Sequence, residues 1–126
     1  MLVCSLLAKA QLIATVSSPK VTGQKTVVML AITNNLSEKV ESARAVIFLL
    51  NDQGIMVGQS TKWVIGGTRA RPALEPKNGT TFTFVITSPQ PFTTTNLTAK
   101  VSFSRVILEG EKTADLKTDV LIQNTQ

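Results

Sequence analysis

From Thr80 to Thr87 the chain alternates without a slip: Phe82, Phe84 and Ile86 share one side, and Thr81, Thr83, Val85 and Thr87 share the other. A two-residue period belongs to an extended backbone, whose successive side chains point to opposite faces. An apolar row backed by a hydroxyl-rich row describes a strand with one covered face and one wet face. The rest of the chain is built from the same material: Val, Ile and Thr supply 38 of the 126 residues. Such β-branched side chains suit a pleated, half-buried surface and disfavour helix.

Turn residues cut these runs at fairly even spacing. Gln11–Ser17 is closed by Ser18-Pro19, and Lys25–Asn34 follows. Its middle is apolar on both sides, as in a central strand buried on one face and partly covered on the other. Glu41–Asn51 has a continuous apolar centre, and Asp52-Gln53-Gly54 turns it into a hairpin with Ile55–Ile65. Gly66-Gly67 opens a loop through Pro72 to Pro76 in which no ladder is expected. Beyond Thr80–Thr87 come Leu97–Leu108, with Val101, Phe103 and Ile107 on one side, and Lys112–Gln123. The one helical candidate, Ser37–Ala45, has too few apolar residues for a stripe. Seven strands with turn signals every 8–15 residues predict an all-β, seven-stranded antiparallel sandwich, Ig-like or fibronectin-like, in one domain over residues 11–126. An open Greek-key barrel is the alternative architecture.

The opening ten residues read differently. Leu2 to Ala8 is an apolar run far too short to span a bilayer, which takes about 20 residues. Ala8-Lys9-Ala10 then gives the small-x-small pattern of a signal-peptidase site, with cleavage before Gln11. Residues 1–10 are thus expected to be a truncated leader and the chain extracytoplasmic, periplasmic or secreted. The competing reading makes residues 2–16 a single apolar opening strand. With the leader removed, Cys4 goes with it, and the core must hold without disulfides.

Absences narrow the chemistry. The sequence has no histidine, no tyrosine and one cysteine, which removes His-dependent triads, His or Cys zinc sites and Cys–His nucleophiles. The carboxylate pairs Glu38/Glu41, Glu109/Glu111 and Asp115/Asp119 fall at expected turns or strand faces and read as solvated surface. Asn51, Asp52 and Gln53 offer too few oxygens for calcium. The expectation is therefore a chain that is not an enzyme and carries no metal and no cofactor.

The third expected strand ends in Phe48-Leu49-Leu50-Asn51-Asp52-Gln53-Gly54, which resembles the Phe-x-Leu-Tyr-Asp motif and glycine turn of bacterial FxLYD-type Ig-like domains. Phe48, Leu50, Asp52 and Gly54 match, and Asn51 stands in place of the tyrosine. Ile32-Thr33-Asn34-Asn35 upstream is similar to the family's strand end. Leu74-Glu75-Pro76-Lys77-Asn78-Gly79 is similar to its Leu-x-Pro-Gly lead-in, with two residues inserted. The likeness spans roughly residues 20–110 and implies an exported Ig-like domain with no catalytic residues to carry over. Independently of family, Phe48 and Leu50 are expected to fill the core and Asp52 to accept a hydrogen bond from Gly54, fixing the turn.

With 13 basic against 8 acidic residues the net charge is +5, which permits attraction to anionic partners. The basic residues are scattered, and the few aromatics argue against a nucleic-acid surface, which usually adds stacking rings. The densest basic stretch is Lys62, Arg69, Arg71 and Lys77. Trp63 within it is expected either as a core residue between the sheets or as an exposed aromatic platform beside Arg69 and Arg71. Two functions follow: a structural or protein-interaction module, pairing with another protein or an envelope component through its edge strands; or a module binding an anionic glycan or nucleic acid through Trp63, Arg69, Arg71 and Lys77.

Overall fold

Extended segments with one aliphatic row must hide it, and two sheets can do so by facing each other. The computed structural model describes residues 11–67, 71–88, 92 and 96–124, and among these the chain forms nine strands in two sheets. They are β1 (Leu12–Val16), β2 (Lys20–Thr22), β3 (Lys25–Asn34), β4 (Val40–Leu50), β5 (Met56–Ile65), β6 (Gly79–Thr87), β7 (Thr98–Leu108), β8 (Lys112–Thr113) and β9 (Val120–Asn124). In the first sheet β3 lies between β6 on one side and β1 and β2 on the other, and β9 flanks β1. The second sheet has the order β5-β4-β7-β8. The two-layered β architecture is as expected. No helix among the described residues is long and apolar enough to cross a membrane.

The expected seven strands become nine because a short strand, β2, follows the first beyond its Ser18-Pro19 close, and the last is broken in two. The first strand closes at Ser18-Pro19 as expected: the Ser17 N–H still donates to Met29 at 2.9 Å, Pro19 has no N–H to offer, and pairing with β3 resumes at Lys20. The expected Lys112–Gln123 strand is divided by a turn at Ala114–Asp119. Within that turn the Lys117 N–H donates to Asp115 Oδ1 at 2.9 Å, and the Asp115 N–H donates to Asp119 Oδ2 at 2.9 Å. The N–H of Lys117 holds the Asp115 carboxyl below its ordinary pKa against an opposing desolvation, with further help from Thr118. The turn moves the chain from the second sheet to the first, where β9 runs parallel to β1. The sandwich is therefore not wholly antiparallel. The expected leader at residues 1–10 lies outside the described residues.

The core is aliphatic. Leu12, Val28, Leu30, Ile32 and Phe84 from the first sheet meet Ile47, Leu49 and Val106 from the second, all of them at most 1% exposed. Two expected faces are corrected here. On β4 the buried row is Ala43, Ala45, Ile47 and Leu49, so Phe48 and Leu50 lie half-buried on the outer face. On β7 the buried row passes from Ala99, Val101 and Phe103 to Val106 and Leu108, leaving Ile107 outside. An irregularity between Arg44 and Ala45, which face Arg105 and Phe103, puts one extra residue, Ser104, into β7 and reverses its phase.

The buried Asn34 ties the sheets at one end. Its Nδ2 donates to the carbonyls of Glu38 and Leu74, each at 3.0 Å, and its Oδ1 accepts from Leu36 N–H at 2.9 Å. Leu74 in turn exchanges two backbone hydrogen bonds of 2.9 Å with Val40, so the proline-containing loop does make one bridge.

Candidate binding surface

The β4–β5 hairpin carries most of the residues singled out in the sequence. Its turn is held by Asn51: Oδ1 accepts from Gln53 N–H at 2.9 Å and Ile55 N–H at 3.0 Å, and the Asn51 carbonyl accepts from Gly54 N–H at 3.0 Å. Asp52, expected in that role, is exposed one residue further on. An Asn side chain at the first turn position reaches the N–H two residues ahead, and at the second it points away. Gly54 has φ +77°, as the turn requires.

Trp63 pairs with Arg44 across the hairpin, on the outer face that also carries Val46, Phe48 and Leu50. It is half-buried and does not enter the core; Val64 and Ile65 are the buried residues at that end of β5. The Arg44 guanidinium carbon sits 5.7 Å from the centre of the Trp63 ring, and Arg44 Nε donates to Ser104 Oγ at 2.9 Å. A cation thus covers the ring on one side. From below, the indole packs on Gly67, where a Cβ would come 2.6 Å from Trp63 Cγ and φ is +80°.

Arg71 lies elsewhere. Its guanidinium carbon is 5.3 Å from the Phe82 ring centre and its Nη1 reaches the Gly66 carbonyl at 3.4 Å. It lines a cleft of about 240 Å³ together with Val64, Ile65, Leu74, Asn78 and Thr80, which includes neither Trp63 nor Lys77. Lys77 is exposed in the turn Glu75–Asn78, where its N–H donates to Asn34 at 2.6 Å and its φ is +69°. The left-handed position after Pro76 is therefore filled by Lys77 itself. Arg69 lies outside the described residues.

The described members of the sequence-predicted basic region do not share one face. Arg71 faces the cleft, Lys77 stands on a turn, and Trp63 is on the outer sheet face. That face gathers cations the sequence reading passed over: Arg44 opposite Arg105, and Lys100 opposite Phe48. Among the described residues none of these three is paired with a carboxylate; the ion pair there is Lys112 with Glu38, at 2.6 Å. Only the pairing of β4 with β5 and β7 brings them together, which no spacing along the chain reveals.

No family model and no curated protein matches the chain. Among solved structures it is similar to the crystal structure of a Bordetella pertussis protein designated ApaA, with a TM-score of 0.56 and 17% sequence identity over 82% of this chain and 86% of that one. At such identity the likeness is one of fold.

Proposed function

We propose that this chain is a non-catalytic, exported β-sandwich of the Ig-like or fibronectin-like kind, acting as a structural or protein-interaction module. The observation that carries the reading is β5, a ten-residue strand that among the described residues is paired along one side only, preceded by and opening with Ile55, Met56 and Val57 at 56%, 53% and 38% exposure. An unpaired row of backbone donors and acceptors is a ready template for another strand. The Ig-like topology is supported by counting β1 with β2 and β8 with β9 as single bent strands. That leaves seven runs, three in each sheet and the last shared between them. Membership of the FxLYD-type family rests on the motif at Phe48–Gly54, and export on the leader-like residues 1–10.

A second reading, a module for an anionic glycan or nucleic acid, draws support from Arg44 over Trp63 and from Arg105 and Lys100 on the same face. Salt separates the two. Heparin and a strand-forming peptide should be titrated against the full chain at low and high sodium chloride. Under the first reading peptide binding persists with little loss as salt rises. Heparin binding that is tight and weakens steeply with salt, together with no peptide binding, would overturn it in favour of the second.

A further inference from the structure

We propose that the free side of β5 receives an extended acidic strand, and that Lys62 selects it. The inference rests on reading the chain as an interaction module and names the edge and the chemistry of the partner. Between two irregularities, next to Ala43 and next to Leu50, β5 runs in unbroken register from Gly58 opposite Leu49 to Trp63 opposite Arg44. Nothing among the described residues pairs with its other side. The other long edge, β6, has Arg71 over Phe82 near its beginning.

Residues directly opposite in an antiparallel pair share a face. Gly58, Ser60 and Lys62 are therefore on the inward face, beside buried Leu49, Ile47 and Ala45. Gly58 and Ser60 are small, and a Cβ at Gly58 would meet Ile86 of the other sheet at 3.2 Å. A strand added to β5 would therefore run beside an inner row of small side chains that Ile86 closes from the other sheet. Next along the row it would meet an exposed ammonium with no carboxylate partner among the described residues. An inward charge on an edge strand opposes pairing with any strand that cannot neutralise it. A second copy of this chain adding through β5 would bring two lysines into one inward row. A strand with Asp or Glu opposite Lys62 would bring the two charges together in a partly desolvated place. The net charge of +5 favours the same partner at a distance.

The test uses the full chain and two short peptides that alternate valine and threonine, one with a central glutamate and one with lysine there. Amide exchange locates binding and titration ranks it. The expected result is protection gained at Gly58–Trp63, with the glutamate peptide bound about tenfold more tightly, since attraction and repulsion across one strand pair both contribute. Lys62→Glu reverses the ranking and Lys62→Gln levels it. Equal affinities, a ranking unmoved by Lys62→Glu, self-pairing of the wild-type chain through β5, or protection confined to Gly79–Thr87 overturns the inference. In that last case the interaction-module reading survives. No protection on either edge with either peptide removes that reading as well.

Discussion

At the scale of single residues, small shifts in position decide which side chain does the work. Asn51 and Asp52 are neighbours with similar side chains, yet only Asn51 has its oxygen within reach of Gln53 and Ile55 N–H. Asn51→Ala should therefore cost about 1 kcal/mol in chemical denaturation, while Asp52→Ala should be close to neutral. Gly54, at φ +77°, has open space around it, so Gly54→Val should cost about 1–2 kcal/mol from backbone strain alone. Lys77 offers the opposite experiment. It holds a φ of +69° that a glycine would take without a Cβ clash, so Lys77→Gly should raise stability by roughly 0.5–1 kcal/mol in the same assay. The need for glycine after Asp52 was legible in the sequence. The left-handed lysine was not, because its conformation is imposed by the Asn34 and Glu75 carbonyls that hold the turn.

Among the elements, legibility followed the contrast between faces. In β6 threonine alternates with phenylalanine and isoleucine, and the buried row came out as read. In β4 the run Ala45-Val46-Ile47-Phe48-Leu49-Leu50 is apolar on both sides, so its phase is set by what packs on it and not by its own pattern. The consequence is measurable: Ile47→Ala should cost about 2–5 kcal/mol, and Phe48→Ala on the outer face markedly less. The Asp115 turn carries a pH signature. A carboxyl held below its ordinary value of 3.8 adds stability above that value and loses it as pH falls through the lower, folded one. Wild type should therefore exceed Asp115→Asn in melting temperature at neutral pH, by a small amount because the group is exposed. The gap should close on acidification below that ordinary value.

For the molecule as a whole, the two-layer plan could be read from strand count and aliphatic content. The division of the last strand and its parallel pairing could not, since β9 lies beside a partner more than a hundred residues away, Val120 beside Leu12. The candidate site was legible only in its parts: Trp63 and Arg71 were visible, but their separation onto different surfaces follows from sheet pairing. Asn34 is the polar joint of the assembly, and Asn34→Ala should cost about 2–3 kcal/mol by leaving the Glu38 carbonyl and the Leu36 N–H without this partner and the Leu74 carbonyl with its Val40 bond alone. Fluorescence and circular dichroism should still report one shared melting transition, at a lower temperature. The parallel seating of β9 against β1 also has a kinetic side. While the chain is being synthesised, Leu12–Val16 waits on one flank until Val120–Asn124 leaves the ribosome. A ladder closed over so long a stretch makes maturation slow and ties it to the emergence of that strand. Nascent chains halted before Val120 should thus remain sensitive to protease when released chains have become resistant.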